Sequence, residues 1–405
     1  MHRRTGGGPG KLGTRAAVSA LCLVVALAAL ALAHHYRAYP QLFWDAHVYA
    51  DAIGRWRAGT DAYQTGPAGI PFVYPPIFLV AASRLEHIVG PSVGWYVYLA
   101  LTFAATFAVP WLMATLYAKR TWLTFPLACA LFFAGPRLAG ASTLLSGNIN
   151  TLCFAVILVA GTAGVRRGKW TLFYFAVGTA SLIKISFLGL LLLPLFASAD
   201  VFAAIAASLG TCVAVIAGYF AEGKMFPAAC ESFQQNLLHH AIRTHHDGYA
   251  VLGVIRHILI GIHAGGGLVL PGVAHFIYCV VAVGALVVAR IRMGARVVEG
   301  KSTWLSLILI TTITINPRMV DYDAAIAAIP AIVILISGVM SPKLRVWCAA
   351  ASGLVIACLI AAPTGTGSLV LLLCGLGIGF AELAQSAARR EEEGETEPQS
   401  SGARR

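Results

Sequence analysis

Long apolar runs, broken by short polar or basic stretches, dominate this chain from end to end. The first runs without interruption from Ala16 to Ala33, behind Arg3, Arg4, Lys11 and Arg15. Further candidate spans fall at 93–117, 121–138, 147–165, 170–184, 185–199, 200–220, 268–290, 302–316, 321–339, 345–362 and 366–384. Each is judged against the ~20 residues that a helix needs to cross a bilayer. The runs are rich in Leu, Ala, Val and Ile and lack the every-second-residue alternation of a membrane barrel. Helices are then the way to satisfy the backbone in lipid. The expected fold is an all-α polytopic bundle of about 12 transmembrane helices.

Three stretches complicate the threading. Ala31-Leu32-Ala33 resembles a signal-peptide cleavage site, but the apolar run before it is longer than such peptides carry, so it is read as an uncleaved span. The piece from Pro75 to Val89 is short and holds Arg84, Glu86 and His87, which suits a re-entrant or interfacial segment. Residues 170–199 read either as one kinked helix or as two short ones.

Composition agrees with the pattern. Of 405 residues, 58% are hydrophobic and 11% charged, against about 25% charged in a soluble domain. The net charge of +12 sits in short clusters between apolar runs: Lys119-Arg120, Arg166-Arg167-Lys169, Arg290 to Lys301 and Lys343-Arg345. That is the positive-inside signature and not a nucleic-acid surface, so no nucleic-acid partner is expected. The nine cysteines show no CxxC or other metal spacing, and no metal or disulfide framework is read from them.

With every basic cluster cytoplasmic, both termini are cytoplasmic, and segments 34–75, 136–147, 221–267 and 316–323 lie on the far side. The expected organisation is a cytoplasmic segment 1–15, a membrane domain 16–385 and a disordered cytoplasmic tail 386–405. The first and third far-side segments are long loops, and loops of that length usually carry function.

Six groups of polar or aromatic residues stand out. Asp45 precedes a short amphipathic pattern, Val48 to Ala58, in which Tyr49, Ile53 and Trp56 share a face and Asp51 can pair with Arg55. As a lone carboxylate it is either the cap of that helix or a catalytic acid or base. Tyr63, Phe72 and Tyr74 read equally as an interfacial aromatic belt or as a sugar-stacking surface. Asn148 and Asn150 enter lipid depth, where they must bond between helices or to ligand hydroxyls. Lys184 lies between two apolar runs, either snorkelling from a helix end or anchoring a lipid-linked phosphate.

The third far-side loop holds His239, His240, Arg243, His245, His246 and Asp247. Their spacing does not gather a metal site; the segment reads as a polar, partly helical cap over a cleft, in which Arg243 or a histidine such as His239 can bind phosphate or position a sugar. In the last group Arg318, Asp321 and Asp323 either pair with one another or line the cleft that contains Asp45.

Taken in order, these pieces resemble glycosyltransferase family 87. Asp45-x-x-x-Tyr49 follows the first span, then come Gly59-x-Asp61-x-Tyr63 and Val73-Tyr74-Pro75-Pro76. Gly147-Asn148-x-Asn150, Ile183-Lys184 and Asn316-Pro317-Arg318 with Tyr322-Asp323 resemble the family's later landmarks. The chain departs from the commoner pattern at Ser186 and Phe187, where a Pro often follows the Lys, and at Asn148, where Gln is often seen. The resemblance implies a GT-C-type membrane transferase that takes a sugar, mannose by expectation, from a polyprenyl phosphate. It further implies a lipid or glycan acceptor and an inverting step on the outer face of a bacterial plasma membrane, with no cofactor. Asp45 would be the base, with Lys184, Arg318 and Arg243 on the donor phosphate. Tyr49, Tyr63, Tyr74, Asn148, Asn150, His239 and Asp323 are the substrate-binding candidates. A transporter or flippase is the main alternative; a non-catalytic assembly subunit is another.

Overall fold

The computed structural model describes residues 22–23, 25–32, 42–66, 69–117, 121–134, 139–243, 250–262, 269–293, 302–319, 321–361 and 366–396. Regular structure among them is entirely helical. Helix α1 covers 25–32. It is followed by α2 (Trp44–Arg57), α3 (Pro76–Val89), α4 (Pro91–Tyr117), α5 (Thr121–Ala134), α6 (Ala139–Ser146), α7 (Ile149–Arg167) and α8 (Thr171–Ile183). A 3-10 segment, Ile185–Leu191, leads to α9 (Leu192–Ala197), α10 (Val201–Met225), α11 (Pro227–Arg243), α12 (Val251–Gly261) and α13 (Val269–Met293). The chain ends with α14 (Ser302–Thr314), α15 (Asp321–Met340), α16 (Arg345–Ala361) and α17 (Thr366–Thr396).

Five of these helices are long and apolar enough to cross a membrane alone: Pro91–Thr115, Ile149–Arg167, Val201–Met225, Val269–Arg292 and Gly367–Gln385. Several others are apolar but shorter. About 12 spans were expected; among the described residues the bundle mixes five full-length spans with shorter apolar helices. The physical reason lies in burial. Residues Thr303 to Thr314 of α14 are all buried by protein, so this helix, about 20 Å long, is solvated by its neighbours and not by lipid. Its hydroxyls close on their own helix, Thr312 to the Ile308 carbonyl and Thr314 to that of Ile310. By contrast, only 17% of α10 and of α13 is buried in their most apolar windows, and these two present their sides outward.

Helix α15 packs against α14, α16 and α17, with α5 and α6 on another side. Small residues permit the approach: a Cβ on Gly375 would meet Ala331 Cβ at 2.9 Å. Helix α7 lies against α4 and α8.

The structure revises several boundaries. The interfacial reading of residues 75–89 corresponds to the 14-residue helix α3. The stretch 170–199 is broken at Lys184 into α8, the 3-10 turn and α9. The segment 221–267, expected to be a partly helical cap, contains α11 and α12, and α10 runs on into it to Met225. Helix α17 reaches Thr396, beyond the boundary set at 385, because Ala387 to Glu393 are strong helix formers. Of the first apolar run, residues 22–23 and 25–32 are helical, and the rest lies outside the described residues.

Two hydrophobic clusters organise the molecule. The larger is the bundle core. The smaller gathers Val48, Tyr49, Ile53, Tyr63, Phe72, Tyr74, Phe78 and Leu79 from α2, α3 and the loop between them. Ile149 and Ile183 pack against both. They flank Asn148, Asn150 and Lys184, so the polar groups lie at the seam between cap and bundle.

Candidate active site

Phe43 sets the position of Asp45. It adopts a left-handed backbone (φ 58°), and its N–H donates to the Leu145 carbonyl at 2.6 Å. Helix α2 therefore begins at Trp44, earlier than the Val48 expected from periodicity. Asp45 falls inside the first turn, and Phe43 occupies the cap position without a side-chain bond. The capping role weighed for Asp45 is thus corrected. Its carboxylate turns to α7, where Asn148 Nδ2 donates to Asp45 Oδ2 at 2.8 Å.

Close contact at this point requires Gly147. Its φ is +65°, and an added Cβ would meet Ala46 Cβ at 3.2 Å and Phe43 Cβ at 3.4 Å. A side chain here would be strained by its backbone and would wedge α2 away from Asn148. The Gly147 carbonyl accepts the Tyr98 hydroxyl at 2.7 Å, a contact not foreseen from sequence.

Asn148 is 2% exposed, and contacts at both its amide oxygen and its amide nitrogen orient the group. Its Oδ1 accepts from Asn150 N at 2.9 Å, capping α7, and from the Tyr74 hydroxyl at 3.3 Å. Tyr49 donates to the Tyr74 hydroxyl at 3.0 Å and accepts from Ile149 N at 3.4 Å. Two donors on Oδ1 oblige Nδ2 to face Asp45. Burial, chiefly, pushes the Tyr49 and Tyr74 phenols well above their ordinary range, reinforced at Tyr74 by the Asp45 charge. Both stay protonated and keep donating.

The second half of the site runs from Asn150 to Lys184. Asn150 Nδ2 donates to Asp323 Oδ1 at 3.1 Å. Lys184 Nζ lies 3.1 Å from both Asp323 oxygens. The Asp323 side chain is 3% exposed and that of Lys184 25%, so the ammonium remains reachable while its partner is sealed in. Lys184 has extended backbone (φ −149°, ψ 107°) at the end of α8. Lys184 thus follows the negative end of α8, while Asp323 sits in the first turn of α15, at a positive end. Lys184 was expected to snorkel or to grip phosphate; its ion pair with Asp323 spans 139 residues of sequence.

Asp45, Asn148, Asn150, Asp323 and Lys184 thus form one continuous chain of polar contacts. Tyr49 and Tyr74 support it from behind. Tyr63 lies deeper in the aromatic cluster: it is 5% exposed and donates to the Tyr74 carbonyl at 2.9 Å. These three hydroxyls are engaged within the protein, unlike those of an open stacking surface or an interfacial belt. Arg318 is half-buried in the turn after α14, where its N–H closes on Asn316 Oδ1 at 3.1 Å. The backbones of His239 and Arg243 belong to α11, but their side chains lie outside the described residues, as does the Asp321 side chain.

Two supports were missed by sequence reasoning. Asn236 on α11 donates to the carbonyls of Tyr63 (3.1 Å) and Phe72 (2.9 Å), tying that helix to the aromatic cap. Glu222, buried near the end of α10, accepts the Ile77 N–H at the start of α3. A lone acid at the end of an apolar run was the signal that could have found it.

The model of glycosyltransferase family 87 matches residues 72–317. The chain belongs to glycosyltransferase family 87. No curated protein and no solved structure matches it. Membership makes the chain a membrane glycosyltransferase, with a sugar donor and an acceptor. The matched stretch contains Tyr74, Asn148, Asn150 and Lys184 of the candidate site. Asp45, Tyr49, Tyr63, Arg318 and Asp323 lie outside it and are joined to it by the contacts above.

Proposed function

We propose that this enzyme transfers mannose from a polyprenyl phosphate to a hydroxyl of a lipid or glycan acceptor, on the extracytoplasmic face of a bacterial plasma membrane. One observation carries the reading: a half-buried carboxylate, Asp45, is linked through Asn148, Asn150 and Asp323 to an accessible cation, Lys184. A proton acceptor and a phosphate-binding group are thereby held in one rigid frame. The choice of mannose and of a polyprenyl carrier rests on the family resemblance alone.

The helices give the site a direction. Helix α7 starts beside Asp45 and ends at Arg166-Arg167, and Arg290 and Arg292 close α13. Lys343 and Arg345 follow α15, which starts at the site. The positive-inside bias then favours a cytoplasmic basic end and an outward-facing Asp45.

In the proposed step, Asp45 removes the proton from the acceptor hydroxyl as that oxygen bonds to the anomeric carbon. The bond from that carbon to the phosphate oxygen breaks, and the electron pair leaves with the polyprenyl phosphate. Lys184 offsets the charge that grows on that phosphate, with Arg318 and Arg243 as further candidates. Attack opposite the leaving group inverts the anomeric centre. Asp323 acts as a positioning residue, aiming the ammonium from a buried seat. Asn148 does the same for the base by fixing the carboxylate plane.

The test is incubation of membranes containing the enzyme with labelled polyprenyl-phosphate mannose. A labelled lipid or glycan product is expected. Label carried across the membrane with no new glycosidic product would replace this reading with a transporter.

A further inference from the structure

The two helices that meet at the candidate site end in a second, basic pocket. Helix α2 carries Asp45 in its first turn and ends at Arg57; α3 starts near Tyr74 and ends at Val89. Near those far ends lies a cavity of about 430 Å3, lined by Trp56, Arg57, Ser83, Arg84, His87 and Ile88. At the helical rise per residue, Arg57 is about 18 Å along α2 from Asp45. The pocket is separate from the catalytic carboxylate.

Its charge is unbalanced. Arg57 meets Glu86 at 3.5 Å in a pair whose arginine side chain stays exposed. Glu86 is the sole carboxylate of α3, and Asp51 of α2 is taken by Arg55 at 3.1 Å. Arg84 and His87 are exposed and, among the described residues, have no carboxylate partner. Two guanidinium groups and an imidazole therefore face one acid. Immediately beside them the same helix exposes Leu85, Ile88 and Val89, with Ile88 79% exposed. Basic heads next to bare apolar side chains on a short amphipathic helix are the arrangement of a segment lying in a membrane interface.

We propose that this pocket binds the phosphodiester headgroup of an anionic membrane phospholipid. The planar donors of Arg57 and Arg84 suit phosphate oxygens. Leu85, Ile88 and Val89 give the acyl chains a surface that a free phosphate would leave unused. Trp56 also lines the pocket, braced edge-on by Phe226 at 5.8 Å between ring centres. A lipid seated here bridges α2 and α3, the helices that carry Asp45 and the aromatic cap. The proposal does not depend on the transferase reading.

The full-length protein is reconstituted with equal amounts of phosphatidylglycerol and phosphatidylcholine, and the retained lipid is counted by native mass spectrometry. Retention of phosphatidylglycerol over phosphatidylcholine is expected to fall roughly fivefold for each arginine removed in R84Q and R57Q/R84Q. E86Q removes the competing carboxylate and is expected to raise that preference, an outcome that misfolding cannot imitate. Equal retention of the two lipids by the unaltered protein, or an unchanged preference in R57Q/R84Q, would overturn the proposal. Displacement of the lipid by millimolar inorganic phosphate would overturn the lipid assignment and leave a simple phosphate site.

Discussion

The Asn148 amide donates to Asp45 at 2.8 Å across 103 residues of sequence, while its oxygen is held by Tyr74 and by the backbone of Asn150. Asn148 is therefore the point where the aromatic cap, the start of α7 and the candidate base are joined. Removing it should affect all three. Asn148→Ala leaves the buried Tyr74 hydroxyl without its acceptor, a cost of about 1–3 kcal/mol. It also releases the Asp45 carboxylate from its fixed plane. Turnover should drop by more than the stability loss explains, with the unfolding midpoint measured in parallel. Unimpaired turnover would remove Asn148 from the account.

The pair of Lys184 and Asp323 separates a structural role from a functional one. Lys184→Met strands a buried carboxylate and should destabilise the protein by about 3–5 kcal/mol. Adding Asp323→Leu removes that charge and should restore much of the stability. It should not restore transfer, because the cation proposed to face the donor is still missing. Recovery of both stability and transfer in the double variant would reduce the pair to a packing device.

Neither pairing is legible in the sequence. The apolar spans are, because length and continuity alone dictate helices in lipid; thus α4, α7, α10 and α13 lie within a few residues of expectation. Lys184 could be singled out because a cation between apolar runs is expensive. Its partner could not, since Asp323 belongs to a turn where Arg318 and Asp321 offered nearer options. Asp45 was misplaced for a local reason: nothing in Phe43-Trp44 signals a left-handed Phe43, which starts α2 early. Asn236 and Glu222 act on backbone groups of other segments, and no periodicity records such contacts.

The buried tyrosines make a pH prediction. Their native phenol pKa values lie above the ordinary 10.0, so the unfolded chain loses these protons first. The stability they contribute is complete below about pH 10 and is lost as pH rises from there through the higher native values. Tyrosinate absorbance should lag behind the total tyrosine content in alkaline titration, and Tyr49→Phe with Tyr74→Phe should reduce the lag. Titration of every tyrosine near the ordinary value would contradict this.

Sidedness follows from opposite ends of the bundle. Cysteines placed at Asp61, in the exposed turn after α2, and at Lys169, beyond the end of α7, should behave oppositely towards an impermeant maleimide in intact cells. Asp61→Cys should be labelled and Lys169→Cys protected. The reverse pattern would put Asp45 in the cytoplasm and remove the extracytoplasmic reaction.

Asp45→Asn tests the central claim most directly, because the amide preserves the shape and an oxygen for Asn148 while abolishing the base. Turnover of labelled polyprenyl-phosphate mannose should fall by about 10²–10⁴-fold, with donor binding and the unfolding midpoint little changed. Turnover close to that of the unaltered enzyme would mean that another group takes the acceptor's proton.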